Sequence, residues 1–143
     1  MKTTITTLVL GILFLGSTCN KNDEKCHKTI TFINNTADKL YVAPSGNYPD
    51  TISFAGMPNP ILDPNFSKVE ANESNSQALW KRDCLEYLFE DLIPSDTLMV
   101  YVFDADVLET TPWETVISDN LILKRYDLTL EDLQNSDWTI SYP

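Results

Sequence analysis

Apolar residues alternate with polar ones along several short stretches of this chain, and turn-forming residues separate the stretches. Within residues 28–34, Ile30 and Phe32 fall on one face, and alternation resumes at residues 40–42 after the turn-forming residues 34–38. A two-residue period predicts β-strands, and the short connection predicts that these two strands form an antiparallel hairpin. The same reasoning predicts further strands at residues 67–71, 97–103, 121–126 and 137–142.

Helical signals interrupt this β pattern in three places. Residues 83–92 carry an apolar stripe at helical spacing and begin with a capping aspartate. The pair Thr111-Pro112 is typical of a helix start, with Thr111 as the cap. Residues 129–133 predict one further helical turn, in which a carboxylate lies three residues after the capping Thr129.

These elements predict a mainly β fold. About seven short strands and two or three short helices do not produce the regular alternation of a parallel βαβ sheet. The residues 97–103 are the most apolar stretch outside the N-terminal segment, which predicts a central strand buried on both faces. We therefore expect a β-sandwich with short inserted helices, and an α+β fold is the alternative.

The long segment 44–66 separates the second predicted strand from the third and is rich in proline. Proline removes backbone donors, so a long regular element is not expected here. Loops of this length in a domain are often functional. We interpret the segment as a candidate binding loop, and the alternative is a covering loop that packs on the core. Its candidate contact residues are Tyr48, Phe54, Met57 and Phe66.

The N-terminus has the layout of a secretory signal. Lys2 supplies a positive charge, residues 5–15 are apolar, and small residues lead to Cys19. The apolar run is shorter than the roughly 20 residues that a membrane-spanning helix needs. The layout resembles a bacterial lipoprotein signal, which would make Cys19 the site of cleavage and lipid attachment. Ordinary secretion, with cleavage near Thr18, is the alternative.

Other parts of the chain resemble one group of such proteins. The acidic pair Asp23-Glu24 resembles a surface-export signal, and segments 104–114, 123–133 and 138–143 are similar to small outer-membrane lipoproteins of Bacteroidota whose function is uncharacterised. The resemblance implies a lipid anchor in the bacterial outer membrane and an outward-facing domain. It brings no catalytic or binding residue with it. The implied organisation is a signal peptide over residues 1–18, a tether over 19–27 and one globular domain over 28–143.

The chain has three cysteines. If Cys19 carries lipid, Cys26 and Cys84 remain as an even pair, and an exported protein meets an oxidising environment. We therefore expect a disulfide between Cys26 and Cys84. The alternative is that Cys84 is a buried apolar residue and Cys26 a free thiol.

Charge and composition narrow the function. The formal charge is −11, and loss of the leader with Lys2 makes it −12, which disfavours nucleic-acid binding. His27 is the only histidine, and it lies next to Cys26 at the end of the predicted tether, where a catalytic site is not expected. No glycine-rich phosphate loop or zinc motif occurs, so the sequence predicts a protein without catalysis or cofactor.

Two further patterns in the sequence involve carboxylate and hydroxyl side chains. The carboxylates of Asp104, Asp106 and Glu109 follow the central strand and are a candidate Ca²⁺ site, although the glycine and bidentate glutamate of an EF-hand are missing. A solvated acidic loop is the alternative. Thr51 and Thr97 each lie between an aspartate and an apolar residue, a pattern that resembles O-glycosylation sites of Bacteroidota.

Together these observations predict a lipid-anchored cell-surface accessory or binding protein whose partner is a surface protein or a glycan. Two alternatives remain open. One is a structural or assembly subunit that pairs through an edge strand at residues 137–142. The other is a carbohydrate-binding module that uses residues 44–66 and an exposed aromatic side chain.

Overall fold

Seven strands in two sheets form the framework of the domain. The computed structural model describes residues 26–49, 57–79 and 84–143. This arrangement confirms the mainly β fold class with short inserted helices. The strands are β1 (Thr31–Asn34), β2 (Leu40–Ser45), β3 (Lys68–Val69), β4 (Ser74–Asn75), β5 (Thr97–Asp104), β6 (Lys124–Thr129) and β7 (Thr139–Tyr142).

The first sheet has the order β4-β1-β7, with β1 antiparallel to β4 and parallel to β7. The second sheet has the order β3-β2-β5-β6 and is antiparallel throughout. The predicted hairpin between β1 and β2 is therefore wrong, because the two strands lie in different sheets. Alternation identifies the inward face of a strand, but it does not identify the strand's neighbour.

The connection between β1 and β2 is built around Asn34, which is 1% exposed. Its amide nitrogen donates to the carbonyls of Asp38 and Glu70, at 2.7 and 3.0 Å, and its side-chain oxygen accepts from the Thr36 amide at 3.0 Å. A buried amide with all these partners holds the crossing between the sheets in one geometry. Asn34 begins an Asn-Asn-Thr acceptor pattern for N-glycans, and its burial leaves it inaccessible for that modification.

The main core lies between the two sheets. Phe32 and Ile140 come from the first sheet, and Val42 and Val100 come from the second, all at most 4% exposed. The buried residues on the inner faces of both sheets belong to one cluster, which also includes Leu133 from the helix between β6 and β7. Two sheets that bury their inner faces against each other form a sandwich.

A second core covers the outer face of β5. Met99, Tyr101 and Phe103 pack there with Leu108 and Val116 from two short helices. The prediction of a central strand buried on both faces is confirmed, because β5 is buried along six of its eight residues. The domain thus has three layers, and the helical layer lies over the second sheet.

The helices of the described residues are short and more numerous than expected. The helix predicted over residues 83–92 is present as α2 with a π-helical continuation over Leu88–Leu92. None of these helices is long and apolar enough to cross a membrane. The α-helices are α1 (Pro64–Ser67), α2 (Leu85–Tyr87), α3 (Ala105–Thr110), α4 (Trp113–Ser118) and α5 (Leu130–Asn135).

Of the helix caps predicted for α5 and α4, the first is present and the second is not. The capping box of α5 is confirmed, since the Thr129 hydroxyl and the Asp132 carboxylate each accept a backbone N–H of the other residue. The predicted cap of α4 is wrong. Pro112 occupies the cap position, while Thr111 ends α3 by donating its backbone N–H to Val107.

The strand expected at residues 121–126 begins later, at Lys124. The backbone N–H of Leu121 instead donates to Val116, which closes the turn after α4. Tyr126 and Leu128 then pack on the main core. The apolar residues 121–123 therefore precede β6, and its inward-facing residues are Tyr126 and Leu128.

Candidate functional site

An open cleft of about 690 Å³ lies where the second sheet loses an edge strand. Ligand-binding clefts in proteins commonly have volumes of about 300–1,000 Å³. We call it the β2 cleft. It is lined by residues 42–47, 57–60 and 77–79 together with Leu62, Asp63, Phe66 and Ser67.

The first wall of the β2 cleft is the outer edge of β2. Strand β3 pairs only with Leu40 and Tyr41, while β5 pairs with β2 from Leu40 to Ser45. Within the described residues, no strand pairs with residues 42–45 on the side of β3. The cleft thus begins at the point where β3 ends.

The second wall is a short segment held by its own hydrogen bonds. A 3₁₀ turn over Pro60–Leu62 is capped by Asn59, whose side-chain oxygen accepts from the Ile61 amide at 3.1 Å. The buried hydroxyl of Ser67 donates to the carbonyl of Pro60 at 2.6 Å and to that of Asp63 at 2.9 Å. These contacts organise the wall before any ligand binds, and a preorganised wall lowers the cost of binding.

The structure places the predicted contact residues of segment 44–66 unequally. Met57 and Phe66 line the cleft, and Phe66 is 49% exposed. Tyr48 is 38% exposed but does not line it. Phe54 lies outside the described residues.

Sequence reasoning missed Leu62, which lines the cleft and is 78% exposed. Leu62 was one of several apolar residues in the segment, and no period marked it as exposed. A leucine this exposed on a wall with a fixed backbone indicates a contact surface when it adjoins other exposed apolar groups.

The lining of the cleft offers apolar contact and neutral hydrogen-bonding groups. Amide side chains come from Asn47, Asn59 and Gln77, and among the lining residues that the structure describes Asp63 is the one with a charged side chain. Acid–base and nucleophilic sites place at least two reactive groups within reach of one substrate. The lining residues are suited to holding a ligand and contain no such pair.

The Cys26–Cys84 disulfide is confirmed, and the two Cα atoms lie 5.1 Å apart. This separation falls within the range that a disulfide spans. Cys26 was assigned to the tether from the sequence, but the bond fixes it to the start of α2. The alternative of a buried Cys84 with a free Cys26 thiol is therefore wrong.

His27 is also held on the domain. Its backbone N–H donates to Glu86 at 2.9 Å, its Nδ1 lies 2.6 Å from the other carboxylate oxygen, and its carbonyl accepts from the Leu85 amide. The ring stacks on Trp138 with centroids 4.4 Å apart. Residue 27 therefore contacts both the start of α2 and Trp138, which precedes β7.

The Glu86 carboxyl responds to these neighbours. Burial alone would raise its pKa, but hydrogen bonds from His27 and from backbone amides outweigh burial and lower the pKa. Glu86 also lies near the disulfide, and ligand atoms of Cys26, Cys84 and Glu86 fall within 4.8 Å of one another. Among the described residues this is the only such group, and its two sulfur atoms are already bonded to each other.

The candidate Ca²⁺ residues belong to α3 and its cap, which the sequence did not predict as a helix. The Asp104 carboxylate accepts from the Val107 amide at 2.9 Å as the N-cap of α3, and Asp106 is exposed in the first turn. Glu109 lies one turn further on and accepts from Lys68 at 2.7 Å. The helix therefore directs these carboxylates to different partners, and they do not form a group of neighbouring ligands.

Glu109 instead holds α3 against the second sheet. The hydroxyl of Tyr41 donates to the same Glu109 oxygen at 2.8 Å, and the Lys68 ammonium lies 5.4 Å from the centre of the Tyr41 ring. Burial raises the pKa of Tyr41 to about 12, with a further contribution from Glu109. Hydrogen bonds from Lys68 and then Tyr41 lower the pKa of Glu109.

Of the remaining predicted modification sites, the structure describes Thr97, which does not line the cleft. Thr97 is the first residue of β5 and half-buried, and its hydroxyl donates to the Ser95 carbonyl at 3.1 Å. Thr51 and Cys19 lie outside the described residues, so their O-glycosylation and lipid attachment stay predictions.

The C-terminal edge strand bears on the assembly alternative. Strand β7 lies at one edge of the first sheet, and the carbonyl of Ser141 accepts from the Tyr126 hydroxyl at 2.7 Å. This bond occupies one backbone acceptor of a four-residue strand. A short strand with an occupied acceptor is a poor template for edge pairing.

Comparisons with family models, curated proteins and solved structures found no match for this chain.

Proposed function

We propose that this chain is a lipid-anchored cell-surface binding protein without catalytic activity, and that it holds a ligand or partner in the β2 cleft. The observation that carries the proposal is the open cleft of about 690 Å³, whose wall exposes Leu62 and Phe66. Exposed apolar side chains beside a preformed concave surface gain free energy when a partner removes them from water. The fixed backbone of that wall keeps the surface available.

The proposed anchor limits how far the domain can lie from a membrane. Cys26 lies seven positions after Cys19 in the sequence. An extended chain of that length spans at most roughly 25 Å. With acyl chains on Cys19, the domain would stay close to the membrane surface and favour partners located there.

A binding role is favoured over catalysis because, within the described part of the lining, Asp63 is the one ionisable side chain. A glycan or a protein segment remains a suitable occupant, since both offer groups for amide side chains and apolar contact.

The proposal is tested on intact bacterial cells that carry the full-length protein with a photo-cross-linking amino acid in place of Leu62. The matched control places it at Leu123, which is 48% exposed and does not line the cleft. We expect a discrete adduct from position 62 and none from position 123, and we expect Phe66→Ala to reduce its yield. Equal labelling at both positions, or none at position 62, would contradict a binding role for the cleft.

The anchor is tested separately. We expect Cys19→Ala to abolish metabolic labelling by a fatty-acid analogue and to release the protein from the membrane fraction, because the acyl chains would be its attachment. Unchanged labelling of the variant would refute lipid attachment at this cysteine and leave the cleft unaffected.

A further inference from the structure

We propose that the β2 cleft takes an extended peptide segment, which adds a strand to β2 along residues 42–45, where no strand of the described residues pairs with β2 on the side of β3. This inference rests on the proposed binding function and names the occupant. In strand addition, main-chain hydrogen bonds supply much of the affinity and side-chain pockets supply the selectivity.

The register of the second sheet shows which backbone groups of β2 face the cleft. In an antiparallel sheet, the backbone N–H and C=O groups of successive residues point alternately to one neighbouring strand and to the other. The Ala105 N–H donates to the Lys39 carbonyl at 3.0 Å, so odd-numbered residues of this strand direct their backbone groups toward β5. Pro44 agrees with this parity, because a proline lacks the N–H that a position bonded to β5 would donate.

The backbone N–H and C=O groups of even-numbered residues therefore point away from β5, toward the side on which β3 lies. Leu40 faces β3 and is paired with Val69. Val42 and Pro44 lie beyond the end of β3 and line the cleft. They direct one N–H and two carbonyl groups toward it.

The dimensions of the cleft suit one added strand. Six consecutive residues, 42–47, line its wall. The first four of them, residues 42–45, belong to β2 and extend over roughly 13 Å at about 3.3 Å per residue, which suits an added strand of about four residues. A peptide about 4.8 Å from β2 would run between that edge and the wall that carries Leu62 and Phe66.

Charge limits which peptides suit the cleft. Asp63 is the one charged residue among the described residues of the lining, and the whole chain has a formal charge of −11. A neutral or basic segment with alternating apolar side chains is therefore favoured over an acidic one.

Other kinds of ligand would match fewer of the polar backbone groups that face the cleft. A fatty acyl chain would contact the apolar walls but leave the Val42 N–H and the Val42 and Pro44 carbonyls without partners on removal from water, which is costly. A glycan would bond to side-chain amides, but it cannot reproduce the two-residue repeat of a strand edge. These two occupants are distinct outcomes of the test below.

The test selects random seven-residue peptides displayed on phage against the full-length protein in detergent. The best peptide is then resynthesised with a single backbone N-methyl group at each position in turn. Since only alternate peptide N–H groups would face β2, we expect methylation at positions of one parity to weaken binding about tenfold and at the other parity much less. Uniform sensitivity along the peptide, or none, would overturn strand addition.

Two further measurements distinguish the strand-addition proposal from the proposed binding function on which it rests. Hydrogen exchange of the Val42 amide should slow about tenfold when the peptide binds, and Phe66→Ala should weaken binding while the control Leu123→Ala does not. Failure to select any peptide, with a glycan array or a fatty-acid probe binding in a Phe66-dependent way, would overturn the peptide and keep the cleft. If no probe and no cellular cross-link depends on Phe66, both proposals fail.

Discussion

Removal of the Cys26–Cys84 disulfide is the perturbation whose effect the structure predicts most directly. The bond joins residues 58 positions apart and so closes a long loop of the unfolded chain. The loop-entropy relation gives about 4 kcal/mol for a loop of this length. The double substitution Cys26→Ser and Cys84→Ser should therefore lower the free energy of unfolding by about 4 kcal/mol. For a marginally stable domain this is a large share of its total stability.

The assay is urea-induced unfolding at neutral pH, followed by tryptophan fluorescence. Oxidised wild-type protein, wild-type protein in a thiol reductant and the double variant are compared. The reduced wild type should coincide with the variant, because both lack the same cross-link. Each single cysteine substitution should lose as much as the double one. A loss below about 1 kcal/mol, or a reduced wild type as stable as the oxidised one, would refute the reasoning.

Three further predictions concern individual hydrogen bonds. Tyr41→Phe removes the bond to Glu109 and should cost about 1 kcal/mol at pH 7, measured by urea unfolding. Because the folded-state pKa of Tyr41 is raised to about 12, its contribution should be present below pH 10 and disappear as the pH rises through 12, so the wild type and the variant should converge there. Thr129→Ala should cost about 1 kcal/mol because α5 loses its cap, and an unchanged unfolding midpoint would contradict this. The folded-state pKa of Glu86 is lowered below 4.5, so its stabilising effect should be present above pH 4.5 and vanish as the pH falls through the folded value. Unfolding of Glu86→Gln compared with wild type between pH 7 and pH 3 tests this, and a difference independent of pH would contradict the contact with His27.

The sequence was most informative where a signal is local. The apolar run at residues 97–103 identified a strand buried on both faces, since the composition of a strand reflects how many of its faces are covered. The box of Thr129 and Asp132 identified the start of α5, because its bonds lie within one turn. The cysteine count identified the disulfide once Cys19 was set aside, which required only chemistry and the compartment.

The candidate site was predicted only in outline. The proline-rich composition of residues 44–66 indicated a long loop, and Met57 and Phe66 do line the cleft. Leu62 was missed, and the carboxylate of Glu109 was assigned to a metal site although it bonds to Tyr41 and Lys68. Both errors have one cause. The partner of a side chain on a short helix or turn depends on how that element packs, and the local pattern does not contain this information.

By itself, then, the sequence determined the mainly β class, the inward faces of most strands, one helix cap and the paired cysteines. Only the tertiary structure decided that β1 pairs in parallel with β7, more than a hundred residues away, instead of with β2. It also decided that β3 stops after two residues and leaves the edge of β2 beside a cleft. The physical reason is that side-chain alternation and capping are properties of neighbouring residues, whereas strand partners and clefts arise from the lowest free energy of the whole packed chain.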